Sequence, residues 1–274
     1  MKKLLTAAVV GVMAGFAFAL EFEQPFDASS NYTVTNYEVS TKFGSTYRTP
    51  SSKEIYTFAD GNLASAAEYT ARDSLVETIT YEYDENRRLT SAVKTDKDGK
   101  LLGKKTFGYE KDGRLKEIVC FNENSELSGK VINKYSAGKT EISYYDGEGA
   151  LLNRDIEKFE DSKKIAIERY FADGSLKVKE EIEYKNEKVS AITSTDAEKK
   201  IVEKAIFKYD VNGKISEIQK VNKDGSIFNR EIYKNNDSGM PVKISVYNVA
   251  EKFGAIANEL ASQVEVDWNE AAEK

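Results

Sequence analysis

The side chains available for chemistry are 46 carboxylates, one thiol and 16 tyrosines, and the 274 residues contain no histidine. Lack of imidazole excludes the commonest general base, the Ser-His-Asp arrangement and most zinc sites. Cys120 has no imidazole to activate it as a nucleophile. Its surroundings, LKEIVCF, read as a strand that buries it as a small apolar residue. No glycine-rich phosphate loop is present. Paired carboxylates, as in a carbohydrate hydrolase, are the one catalytic arrangement left open. TDKDG at 95–99 and NKDG at 222–225 look like the start of calcium loops. A cation, Lys100, stands where a further oxygen ligand belongs, so Asp96 and Asp98 are read as turn residues. The sequence therefore predicts no cofactor and no metal.

The tyrosines are more informative than the carboxylates because they are periodic. The aromatics Tyr83, Tyr109, Tyr135, Phe159, Tyr184, Tyr209 and Tyr233 follow one another at steps of 26, 26, 24, 25, 25 and 24 residues. A second series of turns, among them DKDGKLL from Asp96, FADGSLK from Phe171 and NKDGSIF from Asn222, lies between them. The beat is thus a half-unit of 12 to 14 residues, two to a repeat.

Each half-unit predicts one strand. Asp-Gly, Asn-Gly or a polar substitute supplies a turn that tolerates positive φ, and about eight residues rich in β-branched and aromatic side chains follow. Turn signals at this spacing leave no room for helices of ordinary length. Proline, which cannot donate to a ladder, is missing from 51 to 240. Strands joined so briefly must be antiparallel neighbours. The expectation is an all-β fold, an antiparallel meander of about fifteen short strands in tandem repeats, elongated or coiled. An open sheet of that size curls or splits. Along each strand the residues in phase with the terminal aromatic, such as Ala205, Phe207 and Tyr209, form an apolar face. The other face carries Lys and Glu around a central aliphatic such as Ile118, Ile156, Ile206 or Ile218.

FGYEKDGRL at 107–115 and FKYDVNGKI at 207–215 resemble the YD repeats of the RHS family, with YEYDENRRL at 81–89 as a variant. The resemblance covers approximately 56–248 and implies a β-meander that coils into a strip or shell, found in bacterial surface and secreted proteins. Arg87 stands where the pattern has glycine, which predicts an altered turn there.

The two ends do not repeat. MKKLLTAAVVGVMAGFAFA has the basic start, apolar middle and small residues of a cleavable export signal, with cleavage after Ala19. The mature chain then carries 38 basic against 46 acidic residues, a balance that gives no attraction to nucleic acid. Residues 20–55 read as an N-terminal β cap and 56–248 as the repeat domain. The stretch 249–274 reads as a capping helix and tail, with Val249, Phe253, Ile256, Leu260 and Val264 at helical spacing behind Asn248 as N-cap. Such a helix would cover the open edge of the sheet. Trp268 either tacks the tail to the sheet or is an exposed contact. An outer-membrane barrel is disfavoured, because KVKEEIEY and RDIEKF put charge toward lipid in either phase.

Together these features predict an exported, monomeric, non-enzymatic protein of the periplasm, envelope or exterior, with no transmembrane segment in its mature chain. Its extended surface would bind a protein or glycan. The candidate platform for sugar rings or a partner chain is Tyr109, Tyr135, Tyr209 and Tyr233. A carboxylate-dependent carbohydrate-active enzyme is the alternative.

Overall fold

A computed structural model describes residues 26, 28–252 and 255–268. The export signal and Phe253 lie outside them. The described residues form eighteen strands. The first nine are β1 (Tyr32–Lys42), β2 (Ser45–Ala59), β3 (Asn62–Thr70), β4 (Leu75–Tyr83), β5 (Leu89–Asp96), β6 (Leu101–Tyr109), β7 (Leu115–Phe121), β8 (Leu127–Ser136) and β9 (Lys139–Asp146). The rest are β10 (Leu151–Glu160), β11 (Lys163–Phe171), β12 (Leu176–Lys185), β13 (Lys188–Thr195), β14 (Ile201–Tyr209), β15 (Ile215–Val221), β16 (Ile227–Asn235), β17 (Pro241–Lys252) and β18 (Ala255–Trp268).

Every strand pairs with its neighbours in sequence, and β18 also pairs with β1. The sheet is therefore an antiparallel barrel of eighteen strands, closed by hydrogen bonding, with no helix among the described residues. This corrects the open meander of about fifteen strands. The N-terminal cap and the C-terminal helix are themselves strands of the sheet. The helical spacing misleads because a step of four returns to the same face of a strand as well as of a helix. Tyr247 opposes Leu260 and Ile244 opposes Val264 in the β17–β18 ladder. Closure removes the edge that a helix was expected to cover.

The chain divides into two units. Unit 1 is Met1–Val34, Ser52–Val131 and Asp267–Lys274, and unit 2 is Thr35–Ser51 and Ile132–Val266. The same hairpin builds both. In the β14–β15 turn the Asp210 amide donates to the Lys214 carbonyl at 2.8 Å and the Gly213 amide to the Asp210 carbonyl at 2.9 Å. Gly213 sits at φ 77°, the left-handed position of a three-residue hairpin loop with a bulge. The Asp210 carboxylate accepts from the amides of Asn212 and Lys214, so the Asp of the YD phrase is a turn residue. Arg87 takes the glycine position at φ 60°, and the Asp84 turn keeps both hydrogen bonds, each 2.9 Å. The turn is not altered. Arg87 bears the strain, and its guanidinium donates to the Asp60 carbonyl at 2.8 Å.

The bulge also decides which residues share a face. Tyr209 opposes Ile215 while Lys208 opposes Glu217, leaving Ser216 without a partner. The side-chain phase shifts there by one residue. Ile218, expected opposite the aromatics, consequently pairs with Phe207 on their face, and Ile118 pairs with Phe107. In unit 2, Ala205, Phe207 and Ile218 form a buried cluster with Val189, Ile192, Tyr209, Ile215 and Tyr233 around it.

Candidate functional site: the tyrosine face and its buried charges

The periodic tyrosines are held by a repeated hydrogen bond. The hydroxyls of Tyr83 and Tyr109 in unit 1 donate to the carbonyls of Leu63 and Leu89, at 2.9 and 2.7 Å. In unit 2, Tyr184 and Tyr209 donate to the carbonyls of Lys164 and Val189, at 2.8 and 2.7 Å. The acceptor lies twenty residues upstream each time, near the start of the adjacent strand. Where the series reaches Asn235 instead of tyrosine, its side-chain amide donates to the Ile215 carbonyl at 3.1 Å. A cation covers three of the rings: Arg88 over Tyr109 at 5.0 Å, Lys163 over Tyr184 at 5.7 Å and Lys188 over Tyr209 at 5.1 Å.

The four candidate platform residues are therefore placed differently from one another. Tyr109 belongs to unit 1 and the other three to unit 2. Tyr109 and Tyr209 are pinned as described. Tyr135 is half-buried in β8 and has partners of its own. Tyr233 donates to the Glu231 carboxylate at 3.0 Å, and burial followed by that carboxylate pushes its phenol well above the usual range.

In unit 1 the tyrosine face carries a row of acids. Glu54 opposes Glu68, Glu68 opposes Glu77 and Glu77 opposes Asp96, across four neighbouring strands. Glu54 accepts from the Tyr56 hydroxyl, and Glu77 pairs with Lys94 at 2.7 Å. Burial, then Glu77 and Glu54, raise the Glu68 carboxyl. At the start of β1, Tyr32 stacks on Tyr56 at 4.5 Å, with Trp268 at 4.8 Å and Phe26 at 5.7 Å. Trp268 thus tacks the last strand to the first. Cys120, also on this face, is buried opposite Lys105. Burial raises its thiol, with Lys105 opposing, as for a structural thiol.

In unit 2 the tyrosine face buries a charged network. Arg169 grips Glu180 with two nitrogens, at 2.6 and 3.3 Å, and lies 3.7 Å from Asp155. The Tyr144 hydroxyl donates to Asp155 at 3.4 Å. Burial raises the Asp155 carboxyl and Arg169 opposes it. On the opposite face Glu217 accepts from Arg230, from Gln219 at 2.8 Å and from Lys208 at 3.0 Å. Burial works against its charge, but these donors hold it at about 2. Sequence reasoning missed both groups. Their members are remote in sequence, and only the register with its bulges shows that Asp155 opposes Arg169.

No known protein family matches the sequence, and no curated protein does. Among solved structures, a porin-like protein from Bacteroides uniformis ATCC 8492 is 13% identical, with 86% of this chain and 96% of that one covered and a TM-score of 0.45. A porin-like protein from Bacteroides vulgatus ATCC 8482 is 12% identical, with 86% and 97% covered and a TM-score of 0.33. The Photorhabdus luminescens Tc holotoxin pore is 11% identical, with 77% of this chain and 20% of that one covered and a TM-score of 0.17. Likenesses this slight carry no argument about what the chain does.

Proposed function

We propose that the chain is an exported, non-enzymatic barrel with water on both faces of its sheet, which presents a charged outer surface to a protein or glycan at the bacterial envelope. The observation behind this reading is the face opposite the tyrosines. In unit 1 it carries the Glu117–Lys130 pair at 2.7 Å. In unit 2 it carries Lys158–Glu168 at 2.6 Å, Arg154–Glu141 at 3.8 Å and the Glu217 group. These charges lie within the strands, not at their ends. A lipid-spanning barrel keeps an apolar band about 25 Å tall on its outward face, where each Lys or Arg at mid-bilayer costs about 2–4 kcal/mol, and here the tyrosine face carries charge within the strands as well. The described residues also contain no helix long and apolar enough to cross a membrane, which says nothing of strands.

The non-enzymatic part of the proposal rests on how the buried acids are used. Asp155 and Glu180 share Arg169, and Glu77 pairs with Lys94. These carboxylates are committed to the sheet. The test is to prepare the mature chain in buffer without detergent and use it to capture material from envelope extract. A monodisperse protein that retains one envelope protein or glycan supports the proposal. A detergent requirement together with ion conductance across a planar bilayer would overturn it, and glycan hydrolysis lost on Asp155→Asn would favour the enzyme.

A further inference from the structure

Exposed large hydrophobic side chains cluster at one end of the strands. Of thirteen among the described residues, ten lie where the even-numbered strands begin or in the turns just before them. In unit 1 these are Val76, Leu102 and Leu127. In unit 2 they include Phe43, Tyr47, Phe171, Val202, Phe228 and Ile256. One repeat position supplies half of them, the second residue of an even strand.

The apolar surface is shallow. Val202 and Phe228 fall where the ladder skips a residue, and Lys204 and Arg230 stand two residues further along the same strands. Lys204 pairs with Glu183 at 3.7 Å and Arg230 with Glu217. Charge therefore begins after about two residues, or roughly 7 Å of strand. This depth matches the roughly 5–10 Å by which apolar groups enter the boundary between lipid headgroups and acyl chains. It is far short of the band that spans a bilayer.

Phe43 gives a second, independent indication. It sits at the tip of the β1–β2 hairpin at φ 51°, followed by Gly44 at φ 77°. The corresponding positions of three other two-residue turns hold Asp60, Asp161 and Asn186, types that suit a left-handed conformation. Phe43 is strained there, and at 105% relative exposure it gains no packing in return. An aromatic at a strained, fully exposed tip contributes nothing to the packing of the fold.

We infer that this end of the strands docks on a lipid–water interface, Phe43 entering first and Val202, Phe228 and Ile256 following, without crossing the bilayer. The turn charges beside the patch include a neutral pair, Lys200–Glu198, so the attraction is apolar and survives high salt. The inference rests on the water-facing reading of the barrel proposed above.

The test is flotation of the mature chain with phosphatidylcholine–phosphatidylethanolamine vesicles at low and high salt, with a dye-leakage readout. The chain is expected to float at both salt levels without leakage. Phe43→Ser, Val202→Ser and Ile256→Ser together should weaken binding by about a hundredfold or more with the melting temperature kept. Val211→Ser, at a fully exposed residue of the other end, should change nothing. Failure of the native chain to float, or flotation unchanged in the triple variant, would overturn the inference alone. So would self-association in solution that the triple variant abolishes, which would make a second copy the occupant. Leakage through the vesicles would instead overturn the water-facing reading.

Discussion

The two ends of each strand are built from opposite materials. Where even strands finish, tyrosine hydroxyls are tied to carbonyls of the adjacent strand and rings lie beneath Arg88, Lys163 and Lys188. Where even strands begin, the second residue is Val76, Leu102, Leu152, Val202, Phe228 or Ile256, with Thr46, Ser128 and Lys177 as the exceptions. The odd strands that start at the tyrosine end have Thr90, Lys116, Thr140, Lys164 and Ser216 at the same step, and the apolar residues there, Leu63, Val189 and Val242, are buried or half-buried. One end spends its aromatics on internal bonds and keeps charge outside. The other leaves apolar groups uncovered. A repeat that only had to fold would not distinguish its two turns in this way, so the difference points to a surface with a use.

Substitutions can break or sharpen that contrast. The largest effect is expected at Ile218, which is wholly buried against Phe207. Ile218→Ala should cost about 2–5 kcal/mol in urea unfolding, while Val202→Ser should stay within about 0.5 kcal/mol. Equal losses would erase the distinction between a packed and an unused site. Next come Tyr109→Phe and Tyr209→Phe, each expected to cost about 0.5–1.5 kcal/mol for one hydrogen bond. If both were silent, the hydroxyl–carbonyl ties would not be what holds that end.

Glu68 should respond with the opposite sign. Its carboxyl is raised by burial and by Glu77 and Glu54, so its ionised form is disfavoured in the folded chain. Its contribution to stability is full below its unfolded value and falls as pH rises through the raised one. Glu68→Gln should therefore stabilise the protein at neutral pH, by about 0.2–1 kcal/mol for each of the two opposed like charges, Glu54 and Glu77, and the gain should fade on acidification. A melting temperature lowered at neutral pH would contradict the acidic row. The smallest effect is expected for Arg87→Gly. Relief of positive φ and loss of the bond to the Asp60 carbonyl offset each other to within about 0.5 kcal/mol. Circular dichroism and thermal melting would show a rearranged turn if that balance were wrong.

Much of this was legible from sequence because it is local. The turns, the Asp or Asn in most of them and the spacing of the tyrosines follow from residue types a few positions apart. Closure was not legible, since nothing in YTVTNYEV or in the last strand names its partner, and a step of four suits helix and strand alike. The faces of Ile118 and Ile218 were misread because a bulge moves the phase by one residue, and the sequence shows the turn without showing the slip. The network of Asp155, Arg169 and Glu180 needed the full register. The apolar strand starts, by contrast, stand in plain view as Leu101-Leu102, Ile201-Val202 and Ile227-Phe228. Their sequence does not mark them as exposed, because hydrophobic residues in strands are ordinarily core.

Amide hydrogen exchange, followed along the chain with and without vesicles, tests the central claim most directly. Slow exchange is predicted for β1 and β18 in both conditions, as for strands paired on both sides. Added protection on lipid is predicted around Phe43, Val202, Phe228 and Ile256 and not at the Asp84, Glu110 and Asp210 turns. Edge-like exchange of β1 and β18, or protection by lipid along whole strands from one turn to the next, would contradict a closed barrel that stands in water and touches the membrane with one end.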